Sequence, residues 1–186
     1  MEEAATRHWT LEEFLLFEDG TDRRFELHDG ELVAMAPGSR AHAILCGRLA
    51  RMIGNGLRPP CDVATEAGIV PRDRQTWYKA DLAVTCTRGN AGDPYLSDPV
   101  VLVEVLSPST AMLDRGRKLR DYQEVASLRD ILLISSFERR VEHWRRSGDI
   151  WTARVHVGSE TLRLEAFPIT LDLGELYEGI LANGAD

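Results

Sequence analysis

The sequence predicts a mixed α/β fold in which a central mixed sheet is flanked by helices and carries an antiparallel extension at its C-terminal end. Three observations lead there. Residues 100–106 and 131–134 are continuous apolar runs of the kind that form strands buried on both faces, and a helical pattern separates them. An amphipathic stretch after Ser39 has the length and spacing of a long helix. From Arg140 onward three strand-like runs are joined by turn residues. The order helix, hairpin, helix, strands, helix, strands argues for one layered sheet.

Taken in order, Thr10-Leu11-Glu12-Glu13 has the form of a capping box, followed by Leu11, Phe14 and Leu15 at helical spacing. Residues 1–8 read as a flexible lead. Phe25 to Val33 alternates around Asp29-Gly30, a strong hairpin signal. Ser39 caps a helix whose apolar positions Ala41, Ile44, Leu45, Leu49, Met52 and Ile53 recur until Gly54 and Gly56. Cys61 to Val70 reads as a strand or bent hairpin, Pro71 to Lys79 as a polar connection, and Ala80 to Cys86 as a buried strand. Leu113 to Val125 is helical in pattern. Arg140 to Arg146, Ile150 to Val157 and Thr161 to Phe167 form the antiparallel tail, closed by a short helix around Leu173 to Tyr177.

At 186 residues the chain is long enough for one core, and residues 1–186 are expected to form a single domain. The apolar fraction of 44% is ordinary for a soluble protein, and no apolar stretch approaches the roughly 20 residues that span a bilayer. The acidic start, Met1-Glu2-Glu3, lacks the features of a signal peptide, so a cytoplasmic location is expected, with no membrane contact. A net charge of −8 argues against a passive nucleic-acid coat but not against an enzyme that grips nucleic acid locally. Basic clusters at Arg115, Arg117, Lys118, Arg120 and at Arg139, Arg140, Arg145, Arg146 offer such a grip, or are solvated faces. Cys46, Cys61 and Cys86 fit neither a disulfide framework nor a zinc site by spacing and are expected to be small buried hydrophobes. His8, His28, His143 and His156 show no ligand spacing and are expected at the surface.

The chemistry centres on two acids. Glu104 sits near the end of the apolar run Val100 to Leu106, and Asp81 lies in Ala80-Asp81-Leu82-Ala83-Val84. An ionised carboxylate in such a run is costly to bury unless paired or bound to a metal, so the pair suggests a divalent-cation site. Glu104 shares a strand face with Leu106, and Val103 and Val105 take the other. On the following helix Asp114, Lys118 and Tyr122 stand at four-residue intervals on one face, which can deliver the Lys118 ammonium to the site or leave it in an exposed ion pair with Asp114. There is no P-loop, no Gly-rich dinucleotide fingerprint and no zinc motif, so no organic cofactor is expected.

Several stretches together resemble a known family. They are Phe25-Glu26-Leu27-His28-Asp29-Gly30-Glu31-Leu32-Val33, Met35-Ala36-Pro37-Gly38-Ser39 with His42, Ala80-Asp81, Val103-Glu104-Val105-Leu106-Ser107-Pro108-Ser109-Thr110, and Asp114, Lys118, Tyr122. From Trp9 to about Trp144 the chain is similar to the Uma-two family of restriction-endonuclease-like proteins, a branch of the PD-(D/E)XK nuclease superfamily. The resemblance implies a restriction-endonuclease-like fold and a hydrolase that cuts phosphodiester bonds in DNA. It implies Mg²⁺ or Mn²⁺ on Asp81, Glu104 and the backbone carbonyl of Val105, hard oxygen donors of the kind Mg²⁺ takes. Lys118 stands in for the superfamily lysine, whose usual position is Leu106 here. Glu26, His42 and Tyr122 are accessory: Glu26 a further metal or water contact or an exposed strand residue beside Arg24, His42 a site residue or a hydrogen-bond partner of the preceding loop. Ala80 replaces a common proline. A homodimer is expected, because the strand-rich tail presents edges and aromatic residues such as Trp144 and Trp151. The rival reading is a catalytically silent nuclease-fold scaffold or dimerisation protein.

Overall fold

A computed structural model of the chain describes residues 7–71, 75–108 and 114–181. The lead at residues 1–8 therefore falls mostly outside the described residues, as do Ser109, Thr110 and Leu113.

Helix α1 (Leu11–Leu15) begins at Thr10, whose side chain accepts from the Glu13 N–H while the Glu13 carboxylate accepts from the Thr10 N–H, the reciprocal cap expected from the sequence. Strands β1 (Phe25–His28) and β2 (Glu31–Ala34) form a hairpin around Asp29 and Gly30, which both have positive φ (46° and 79°), the backbone that a tight two-residue turn requires. Helix α2 (Arg40–Gly56) is capped by Ser39 and buries Leu45, Leu49 and Ile53.

Six strands make the main sheet: β3 (Asp62–Ile69), β4 (Tyr78–Thr85), β5 (Pro99–Leu106), β6 (Asp130–Ser135), β7 (Arg140–Ser147) and β8 (Ile150–Val157), in that spatial order. All neighbours are antiparallel except β5 and β6, which are parallel, so the sheet is mixed. The crossover between those two holds a π-helical turn (Asp114–Lys118) and helix α3 (Leu119–Gln123). A two-stranded β9 (Thr161–Arg163) and β10 (Thr170–Asp172) precede helix α4 (Leu173–Tyr177). The run expected through Phe167 stops at Arg163, where the chain turns to let Leu164 bond Ile169. Among the described residues no helix is long and apolar enough to cross a membrane.

Helices cover both faces of the sheet. Leu45, Leu49 and Ile53 of α2 pack with Val103, Val105, Leu132 and Ile134 on one face, joined by Leu173 and Leu176 of α4. Leu119 and Tyr122 pack with Leu102, Leu106, Ile131 and Leu133 on the other. That double cover is why β5 and β6 are apolar at successive positions. It also confirms the facing of β5, with Val103 and Val105 on one side and Leu106 on the other.

Two expectations are corrected. Cys61 and Cys86 form a disulfide. Antiparallel pairing of Asp62 with Thr85 brings the flanking cysteines side by side, a consequence of register that spacing along the chain does not display. Cys46 is the one free cysteine among the described residues. The histidines also differ: His8 is exposed, but His28, His143 and His156 are buried. His143 Nε2 lies 2.6 Å from Asp130 Oδ1, and the His28 ring stacks edge-on to Tyr78.

Candidate active site

Beside the C-terminal end of β5 the buried Lys118 ammonium collects three carboxylates. Its Nζ lies 2.7 Å from Glu26 Oε1, 3.5 Å from Glu104 Oε1 and 3.6 Å from Asp114 Oδ1, with the lysine only 5% exposed. Asp114 and Lys118 are thus a buried pair rather than a surface one. Tyr122, one turn on, donates from its hydroxyl to Glu104 Oε1 at 2.5 Å. The four-residue spacing of Asp114, Lys118 and Tyr122 carries over from the sequence even though the first turn is π-helical.

Glu26 is the largest departure from a simple hairpin reading. Glu26, Leu27 and His28 are all buried, because Leu27 forms a backbone bridge with Trp77 that docks β1 against the start of β4. Glu26 then accepts from the Lys79 N–H at 2.9 Å, and its second oxygen lies 2.8 Å from His28 Nε2. Its position beside Arg24 at the surface is not the one it adopts.

Asp81 occupies a break in the sheet. The β3–β4 register runs through Thr65 with Leu82 and resumes at Ala67 with Ala80, and the intervening Glu66 has φ 51°. Tyr78 and Ala80 accordingly pack in one core and Leu82 and Val84 in the other, so side-chain alternation is reset at Asp81. The freed carboxylate reaches sideways: Oδ2 accepts from the Val105 N–H at 2.7 Å, and Oδ1 lies 3.0 Å from His42 Nε2. His42 is therefore more than a partner of its own loop. Its ring rests against Gly38, where a Cβ would come within 2.9 Å of Nδ1, which accounts for the small residue before the Ser39 cap. Cys46, one turn along α2, places Sγ 3.7 Å from His42 Nδ1. What Val105 is seen to present to the site is its N–H.

The electrostatics follow from this crowding. Burial, with the nearby Asp81 and Asp114 charges, pushes the Glu104 carboxyl up to about 8, against the opposing pull of Lys118 and Tyr122. Burial disfavours the Lys118 ammonium, but Glu104, Glu26 and Asp114 outweigh it and hold the lysine charged above its ordinary range. Glu26 is buried too, yet His28, Lys118 and the Lys79 N–H hold it below the usual carboxylate range. Asp81 pushes His42 up to about 10, while burial pushes the Cys46 thiol up.

Glu26, His42, Asp81, Glu104 and Lys118 all line one pocket of about 900 Å³. Arg23, Arg24 and Lys79 line the same pocket, with Arg24 and Lys79 both paired to Glu66. Of the residues singled out in the sequence, Glu104, Lys118 and Tyr122 meet in direct contacts, while Asp81 lines the same pocket and is held by the Val105 N–H and His42. Sequence reasoning missed Cys46, whose one signal was its four-residue offset from His42 on α2.

A six-stranded mixed sheet covered by helices on both faces is the architecture of a nuclease-like, restriction-endonuclease-type fold. The fold is shared with a crystal structure of a "putative nuclease belonging to DUF820" from Anabaena variabilis: TM-score 0.73, 18% identity, 90% of this chain and 97% of that one. Residues 11–174 match the model of the Uma2 family, described as "Putative restriction endonuclease", and the chain belongs to that family. Two proteins of Synechocystis sp. are similar: slr1290, 30% identical over 173 residues (91% of both chains), and sll1609, 27% identical over 151 residues (78% of this chain, 85% of that one). Both relatives carry the description uncharacterized.

Proposed function

We propose that the protein is a metal-dependent endonuclease that hydrolyses phosphodiester bonds in DNA, with Asp81 and Glu104 as ligands to Mg²⁺ or Mn²⁺, the Val105 carbonyl as a third, and Lys118 as the charge-stabilising cation. The observation that carries this reading is the Lys118 ammonium, buried among carboxylates at the acid-bearing end of β5 and open to the pocket. The donor set fits a hard cation: Glu104 and Asp81 offer oxygens, and a buried carboxyl pressed by neighbouring acids gains from added positive charge. When bound, such a cation would polarise a phosphoryl oxygen and lower the pKa of a water.

The chain's own residues supply the rest. Lys118 places a fixed, partly desolvated charge where negative charge builds on the attacked phosphate. Glu26 and Asp114 hold that ammonium in place, and Tyr122 fixes the Glu104 carboxylate by its hydroxyl. The Val105 N–H and His42 orient Asp81 from two sides. Arg23, Arg24 and Lys79 at the pocket offer cationic donors to flanking phosphates, with Arg24 and Lys79 sharing Glu66.

The test is nicking of supercoiled plasmid with Mg²⁺ or Mn²⁺ by wild type, Asp81→Ala and Lys118→Ala. Cleavage by wild type alone is the expected result, and equal cleavage by all three would trace the activity to a contaminant. The scaffold reading predicts no Mn²⁺ binding heat at millimolar concentration in titration calorimetry. A homodimer draws support from Ile150, Val155 and Val157, exposed on the edge strand β8; sedimentation equilibrium tests it.

A further inference from the structure

His42, Cys46 and Asp81 contact one another on the α2 side of the pocket that Glu104 and Lys118 also line. His42 and Cys46 project from one face of α2 at a four-residue interval, and Asp81 meets them from the break in β4. One donor atom from each lies within 4.8 Å of the other two. Tetrahedral zinc, with bonds of about 2.0–2.3 Å, holds its donors roughly 3.5 Å apart, so a side-chain adjustment of about 1 Å closes the set. His42 and Asp81 also line the pocket, which leaves a fourth position facing the space where a water or an anionic ligand would enter.

Donor chemistry separates this place from the oxygen site at Glu104. Mg²⁺ takes oxygen ligands, whereas one thiolate, one imidazole and one carboxylate suit a borderline transition metal, Zn²⁺ above all. We propose that His42, Cys46 and Asp81 form a three-ligand Zn²⁺ site, and that Zn²⁺ there excludes the hard cation because both draw on the Asp81 carboxylate. The zinc site stands on the geometry of these three residues; only the exclusion rests on the nuclease reading.

The full chain, with its Cys61–Cys86 disulfide kept oxidised, is titrated with Co²⁺ as the spectroscopic stand-in for Zn²⁺. Wild type should develop a thiolate-to-cobalt charge-transfer band in the near ultraviolet, reversed by Zn²⁺. Cys46→Ser and Cys46→Ala should lose the band and bind Zn²⁺ more than about tenfold weaker, with thermal unfolding of the metal-free chain reporting that each variant is folded. Glu104→Gln should keep the band. Absence of the band in wild type, its persistence in both folded Cys46 variants, or its loss in Glu104→Gln would overturn the site. Mn²⁺ binding read by electron paramagnetic resonance should weaken at least tenfold in the Zn²⁺-loaded protein. Mn²⁺ binding that is measurable but unchanged by Zn²⁺ would overturn the exclusion, and no Mn²⁺ binding at all would count against the nuclease reading while leaving the cobalt band to report on the zinc site.

Discussion

Glu104 and Asp130 are both carboxylates on neighbouring inner strands, both buried, and they are compensated in opposite ways. Asp130 is fully enclosed and completely hydrogen-bonded: Oδ1 faces His143 Nε2 at 2.6 Å and the Glu165 N–H at 3.0 Å, and Oδ2 takes the Ala166 N–H at 2.8 Å. Its partners include two backbone amides that cannot move, and it pins the chain after β9 to the start of β6. Glu104 instead shares one ammonium with Glu26 and Asp114, sits near Asp81, and opens to the pocket. A buried acid whose partners are fixed backbone donors holds the fold together. One left crowded by other acids at an open cavity costs stability, and would gain from the further cation that the proposed function places there.

The largest effect that separates the two regions is expected from Lys118→Met. Plasmid nicking should fall by at least about 10²-fold, the usual loss when one charge-stabilising donor is removed. Stability at pH 7 should also fall by about 3–5 kcal/mol, since three carboxylates then lack their shared ammonium, and should partly recover at pH 5 as they take up protons. Urea denaturation at the two pH values reads this directly, and an unchanged midpoint would show that Lys118 does not hold the cluster. Asp130→Ala should behave differently: about 3 kcal/mol of stability lost with two amides and His143 left unpaired, but nicking per folded molecule unchanged. Loss of nicking in folded Asp130→Ala would erase the distinction.

The sequence made the Glu104 half of this comparison visible and hid much of the rest. Strand alternation places Glu104 opposite to Val103 and Val105, and four-residue spacing brings Lys118 and Tyr122 to one face; both are local periodicities that survive folding. The mixed sheet, the two caps and the Asp29-Gly30 turn were legible for the same reason. Glu26 stood out only as an accessory candidate with an exposed alternative, because its burial depends on Leu27 pairing with Trp77, fifty residues on. The Cys61–Cys86 bond depends on β3–β4 register, and the sideways reach of Asp81 depends on the irregularity at Glu66. Asp130 and His143 likewise look like ordinary surface residues until β6 and β7 are paired, Leu132 opposite His143.

A smaller effect sharpens the comparison through pH. The Glu104 carboxyl is pushed up to about 8 in the folded chain from an ordinary value of 4.5. Between those values the folded state keeps a proton that the unfolded state has released, so this group's contribution to stability falls as pH rises, by no more than about 1.4 kcal/mol per pH unit. Glu104→Gln should remove that slope, so that its stability relative to wild type climbs from pH 5 to pH 8 in metal-free denaturation series. Parallel curves for the two proteins would mean that Glu104 is no more strained than Asp130.

The smallest change is Tyr122→Phe. The ring keeps its edge-on packing against Tyr78, with centroids 5.5 Å apart, and only the hydroxyl bond to Glu104 is lost, for about 1–2 kcal/mol. That bond favours the ionised carboxylate, so its removal should move the falling limb of the stability curve to higher pH, the reverse of what Glu104→Gln does. The direction of that shift, read from denaturation midpoints across pH 6 to 9, separates a hydroxyl that steadies a charged ligand from one that merely fills space. A curve lowered uniformly, with its limb unmoved, would assign Tyr122 to packing alone and leave Lys118 as the main group opposing the upward push on Glu104.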